Sequence, residues 1–242
     1  MRIIAIALFT TLLLLVGGEK ATAGNSPIDT SNLWREMLKL EAVFRDSTHL
    51  GFNATFYLTD VDTTTNRDTI QIVYKVSNQK FKIVLDSTMI IQNDFYRVAV
   101  YDEQDVMMLT KPVQFGLNLF HVNLTDPEFN RLYIQSLHAS DSAGYRKLSF
   151  QFKSGSPFTQ YEILYDTANY RISRIEYNVK KNIYVSGAPD YYYHVKIVCS
   201  SYQTGTFTDS VFSMGGYFIR KEGIYSLVAP YTSYQLINSL NQ

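Results

Sequence analysis

Along the chain the spacing of apolar side chains changes from a helical period to a strand period, and that change points to the fold class. After Ser31, the residues Leu33, Trp34, Met37, Leu38, Val43 and Phe44 recur near a helical spacing, and Ser31 or Asn32 is placed to cap the first turn. A helix is therefore predicted over about 32–46, with an apolar stripe that needs a surface to cover. From Phe52 the period drops to two: Phe52, Ala54, Phe56 and Leu58 alternate with mostly polar neighbours, as in a half-buried strand. The alternation returns through Ile70, Ile72, Tyr74 and Val76 after a polar turn at 60–68. It returns again through Phe81, Ile83 and Leu85 after the tight connection Ser77-Asn78-Gln79, with Lys80, Lys82 and Asp86 on the opposite face.

Shorter strands are predicted at 88–92, 95–101 and 106–110, separated by turns at Asn93-Asp94 and 102–105 and closed by Lys111-Pro112. Hairpin-linked strands without intervening helices imply antiparallel pairing, which disfavours a doubly wound nucleotide-binding fold. Over 113–142 the alternation lapses. Asp126-Pro127-Glu128 opens a second helical pattern over 126–138, with Phe129, Leu132, Tyr133 and Leu137 on its apolar face and Pro127 suited to a first turn. Strand patterns resume at 146–153, 160–166, 171–180 and 191–203, the last with Tyr191, Tyr193, Val195, Ile197 and Cys199 on one face. The tail after Val211 is weakly patterned and broken by Gly215-Gly216 and Gly223. No linker rich in Pro, Gly or Ser divides the chain, so residues 24–242 read as one domain.

The first residues place the protein in a compartment. Met1-Arg2, an apolar run over 3–16 and Ala21-Thr22-Ala23 follow the order of a secretory signal peptide, with cleavage expected after Ala23. An apolar run of that length reaches only ~21 Å as a helix, short of a ~30 Å hydrocarbon core. No cysteine follows the cleavage region to take a lipid, so a soluble mature chain is expected. Removal of 1–23 takes Arg2, Lys20 and Glu19 from 22 basic and 22 acidic residues, leaving 20 and 21. Such a balance provides no electrostatic footprint for nucleic acid. Cys199 is the single cysteine, so it forms no intramolecular disulfide and is expected to pack as a small buried hydrophobe.

Candidate chemistry is sparse. Phosphate-binding loops, nucleophile elbows and zinc-protease motifs are absent from the sequence. His49, His121, His138 and His194 lie too far apart for local metal-ligand spacing, and neither a metal nor another cofactor is expected. Asp60, Asp62, Asp102, Glu103 and Asp105 fall at turns, where carboxylates support the backbone; a glycan hydrolase would instead need two of them facing each other at a set separation. Asn53-Ala54-Thr55 and Asn123-Leu124-Thr125 match the glycosylation acceptor pattern, which is common by chance.

The unusual quantity is aromatic content, 19 Tyr and 15 Phe against one Trp. Rings suit a pleated, half-buried surface, and packing of the core accounts for most of them. They also allow a concave face lined by Phe52, Phe56, Ile72, Tyr74, Phe81, Ile83, Phe150 and Phe152 that the helices fill only in part. Such a face suits an acyl chain.

The order of elements carries a family resemblance. A helix leads into the strand GFNATFYL, followed by KFKIVLDSTMIIQNDFYRVAVYDEQDVMMLTKP. With Phe81-Lys82-Ile83, the turn at Asn93-Asp94 and Val98-Ala99-Val100-Tyr101-Asp102, this run resembles the LolA-like superfamily of periplasmic outer-membrane lipoprotein carriers and their relatives. The resemblance implies a mainly β fold, a curved antiparallel half-barrel sheet covered by one or two α-helices. It also implies a non-enzymatic periplasmic protein that holds lipids or the acyl chains of lipoproteins, with the helices over 32–46 and 126–138 as a lid. The alternative function is an interaction module of a cell-envelope assembly with a protein partner; secretion is the alternative location.

Overall fold

The structure, a computed structural model, describes residues 31–45, 49–61, 66–114, 124, 126–180 and 192–240. The expected signal peptide, Asp62, His121, Asn123 and Tyr191 lie outside these residues.

The expected mainly β architecture is met. Twelve strands form one sheet in the order β14-β6-β5-β4-β3-β2-β1-β11-β10-β9-β8-β7, and β12 and β13 form a separate hairpin. The strands are β1 His49–Asp60, β2 Asn66–Ser77, β3 Lys80–Leu85, β4 Thr88–Gln92, β5 Arg97–Tyr101, β6 Val106–Thr110, β7 Ile134–Ser142, β8 Tyr145–Phe152, β9 Phe158–Asp166, β10 Ile172–Lys180, β11 Tyr192–Gln203, β12 Phe218–Lys221, β13 Ile224–Leu227 and β14 Gln235–Asn238. Among the described residues two α-helices accompany them, α1 Ser31–Arg45 and α2 Pro127–Tyr133. β14 and β7 stand at opposite ends of the sheet order, so the sheet is not closed. β14 departs from the expected antiparallel pattern: it runs parallel to β6, with Leu236 beside Met107.

The described residues fall into two compact units, one within Met1–Val43, Tyr57–Thr69 and Asn118–Ile197, the other within Phe44–Phe56, Ile70–Leu117 and Val198–Gln242.

In the first unit α1 packs against one face of β8 and β9. Its buried stripe runs through Met37 and Leu40, with Trp34 against the Phe150 ring at 6.2 Å. Leu38, expected in that stripe, is 50 % exposed, because the helical spacing places it one step off the buried line. Beneath the helix lie Leu148, Phe150, Tyr161, Ile163, Tyr165, Ile172, Ile175 and Tyr177, all buried. The register joins them in rows, Phe150 opposite Tyr161 and Tyr161 opposite Tyr177. The other face of these strands carries charge: Lys147 and Ser149 both reach Glu162 at 3.2 Å, and Arg174 lies 3.4 Å from Glu176. This is the clean alternation of a sheet packed on one side and wet on the other.

The second predicted helix is half right. Asp126 caps α2 by accepting from the Glu128 N–H at 2.8 Å, and Pro127 sits in the first turn as expected. The helix stops at Tyr133, and 134–142 continue as β7. Ser136, His138, Ser140 and Asp141 are weak helix formers, and β8 offers them a ladder of backbone partners with Leu137 opposite Phe150. The backbone bonds of that ladder outweigh a faint helical stripe.

In the second unit β4 to β6 carry apolar side chains on both faces. Ile91, Val98, Val100, Met107 and Leu109 point to one side and are buried under the tail, where Met214 and Phe218 complete the cluster. Tyr96, Tyr217, Tyr225, Tyr231 and Tyr234 close around it. Lys80 holds the entry of the tail, donating to Asp209 at 2.9 Å and lying 3.3 Å from Asp94. The weakly patterned tail is thus a structural layer of this unit.

Candidate functional site

Tight turns build the opposite face of β2 to β6. Asn78 and Asp86 take the left-handed conformation that short polar side chains tolerate, and each closes a hairpin with a fixed register. Tyr74 therefore lies opposite Ile83, Ile83 opposite Ile90, Ile90 opposite Ala99 and Ala99 opposite Met108. In the parallel pairing Ile237 stands beside Met108. Residues directly opposite share a face, so these side chains form one apolar row across the strands. Five steps of about 4.8 Å make the row roughly 24 Å long. Tyr74 and Ala99 are buried; Ile83, Ile90 and Met108 are half-buried, and Ile237 is 38 % exposed.

The rows on either side differ. One continues the apolar surface through Ile72 and Leu85 before reaching Thr88 and Tyr101. The other starts with Val76 and Phe81 and turns polar at Gln92, Arg97 and Thr110. Gln92 is 1 % exposed and fully engaged: its amide nitrogen donates to the carbonyls of Gln79 and Val113, and its oxygen accepts from the Val113 N–H. It fixes the chain leaving β6 along the border of the apolar band.

The eight residues expected to line an apolar face divide between the units. Phe52, Phe56, Ile72, Tyr74, Phe81 and Ile83 belong to the second unit, Phe150 and Phe152 to the first. Phe52 is interior, stacked on Tyr74 at 4.7 Å and on Tyr202 at 5.4 Å, with Phe44 edge-on at 5.7 Å. Ile72 and Phe81 are also buried, while Phe56 and Ile83 keep partial exposure. Phe150 packs beneath Trp34, and half-buried Phe152 contacts Phe158 at 5.7 Å. Leu85, Ile90, Ala99 and Met108 were missed, although counting register outward from the two-residue turns would have found them.

Titratable groups are few and occupied. Burial pushes the Tyr74 phenol up, with Cys199 a smaller contributor; burial likewise pushes the Cys199 thiol up to about 12, so the buried cysteine is unreactive at neutral pH, as expected. In the first unit Arg146 binds Asp141 at 2.5 and 2.7 Å and also Glu36 of α1. The guanidinium holds the Asp141 carboxyl below its usual range, and Tyr165 donates to Glu36 at 2.5 Å. The three described histidines each have a polar partner: His49 has Ser77, His138 has Ser136 and His194 has Asn178. Asp60, expected at a turn, ends β1 and is 4 % exposed. Asp102 and Glu103 sit in an exposed turn as expected. Two open recesses of the first unit, about 350 Å³ beside Asp141 and Thr167 and about 240 Å³ beside Asp60 and His194, involve none of the eight residues.

No protein-family model matches the chain, and no curated protein matches it. Solved structures do. The chain is similar to a LolA superfamily protein of Nitrosomonas europaea, at 9 % identity over 74 % of this chain and 96 % of that one, with a TM-score of 0.31. It is similar to an uncharacterised conserved protein of Thermus thermophilus, at 8 % identity over 84 % and 98 %, TM-score 0.40. It is also similar to MucB in the MucA/MucB complex of Pseudomonas aeruginosa, at 12 % identity over 76 % of this chain but only 61 % of MucB, TM-score 0.38. A LolA superfamily protein thus stands among these similar structures. Likeness at this level transfers no residue and no ligand. Among the described residues no helix is long and apolar enough to cross a membrane, and no three metal-binding side chains gather.

Proposed function

We propose that the protein is a non-catalytic periplasmic carrier that holds the acyl chain of a lipid or lipoprotein along the apolar row of the second unit. The observation that supports this reading is the row of Ile83, Ile90, Ala99 and Met108, bordered by Gln92, Arg97 and Thr110, on the face opposite the one the tail covers. Burial of each methylene contributes about 0.8 kcal/mol, so a long chain binds such a row without polar chemistry. Of the eight sequence candidates, Ile83 and Phe56 would touch the ligand, and the buried Phe52, Ile72, Tyr74 and Phe81 would pack around that end of the row. Phe150 and Phe152 would serve the packing of the first unit.

Solvent extraction of protein purified from its native compartment should release an acyl species in stoichiometric amount, identified by mass spectrometry. A protein that is purified free of lipid and does not bind a fluorescent fatty acid would overturn the reading. A second reading, an envelope module with a protein partner, is favoured by Phe95 and Ile224, which are 74 % and 69 % exposed. In-cell crosslinking that recovers a stoichiometric protein and no lipid would establish it instead.

A further inference from the structure

β7 ends the sheet. On one side it pairs with β8; on the other, among the described residues, no strand follows it. In an antiparallel strand alternate residues turn their N–H and C=O groups away from the partner, so β7 presents a row of backbone donors and acceptors outward. Proteins blunt such edges with short strands, proline, lysine or bulges. β14, at the other end, has 4 residues. β7 has 9, with neither proline nor lysine, and its irregular register is confined to Ile134/Ser136. From Leu137 to Ser142 the ladder is unbroken. The one acid there, Asp141, is held by Arg146.

The side chains continue the picture. An apolar row crosses from Ile175 through Ile163 and Leu148 and stops at Ala139, a small exposed residue beyond which, among the described residues, no further strand follows. On the other face His138 follows Ser149 and Ser140 follows Lys147. All of His138 to Ser142 is exposed.

We infer that β7 is a docking edge that takes an extended segment of a partner polypeptide as an added strand. The occupant follows from what the edge offers: outward N–H and C=O groups at strand spacing are complemented by another extended backbone and by no acyl chain. The row ending at Ala139 asks for apolar side chains on one face of that segment, and the row through His138 and Ser140 asks for small polar ones on the other. This inference does not rest on the acyl-binding row, which lies in the other unit.

The test uses the full mature chain and a dye-labelled peptide of alternating threonine and valine with a lysine at each end. Saturable binding by anisotropy is expected, with slowed amide exchange confined to the 137–142 region. Ala139→Lys and Ser140→Lys, placed on opposite faces, should each weaken binding about tenfold or more while leaving the melting temperature near that of the parent. A peptide with a central proline should not bind. Unchanged binding by both variants, protection elsewhere in the chain, or a concentration-dependent dimer that protects β7 would each overturn the proposal, the last because a second copy would then be the occupant.

Discussion

Truncation after Gln203 is expected to yield a chain that does not fold, despite removing a segment that reads weakly in the sequence. The tail keeps Ile91, Val98, Val100, Met107 and Leu109 from water. Full burial of one such side chain contributes about 1.5–3 kcal/mol, so together they represent roughly 10 kcal/mol. That is comparable to the whole stability of an ordinary domain, about 5–15 kcal/mol. Expression of residues 24–203 should therefore give insoluble protein, or soluble protein with no cooperative thermal transition. A truncated chain that melts within a few degrees of the parent would show that the tail is an appendage.

Tyr161→Ala is expected to be the most damaging single substitution in the first unit. Tyr161 is fully buried, stacked on Tyr177 at 5.2 Å and met edge-on by Phe150 at 5.9 Å and Phe158 at 6.3 Å. Removing a ring held on several sides leaves a cavity the neighbours cannot close, at a cost of about 3–5 kcal/mol. For a chain of this size the melting temperature should fall by roughly 10 °C, read by calorimetry or circular dichroism. Tyr161→Phe retains the ring and should cost only about 1 kcal/mol. Equal losses from the two substitutions would mean that the hydroxyl, and not the packing of the ring, matters here.

These two predictions draw on different signals. Around Tyr161 the sequence alternates, Tyr161, Ile163 and Tyr165 inward with Glu162 outward, and the strand and its buried face were legible from period alone. Around the tail they were not. Phe218, Tyr225 and Leu227 sit in strands of 4 residues, too short for any period to emerge, and Tyr217 and Tyr231 lie in turns. The trace of the tail was in its partner strands: Val98-Ala99-Val100 and Val106-Met107-Met108-Leu109 are apolar without alternation, which implies cover on both faces. β7 was hidden for a related reason. Its serines, His138 and Asp141 carry little β propensity, and only pairing with β8 makes them a strand. For the candidate site, residue type identified Ile83 and Phe81 as sheet-face residues, but whether a ring is buried under another ring depends on long-range partners. Phe52, stacked between Tyr74 and Tyr202, is such a case.

The acyl-binding row is tested most directly by titrating the mature protein with a fluorescent fatty acid beside its Ile90→Asp and Met108→Asp variants. A buried carboxylate beside an alkyl chain is costly unless paired. The account predicts saturable binding by the parent, loss of about tenfold or more in affinity for each variant, and melting temperatures that remain close to that of the parent. Folded variants that bind the probe as tightly as the parent would contradict it.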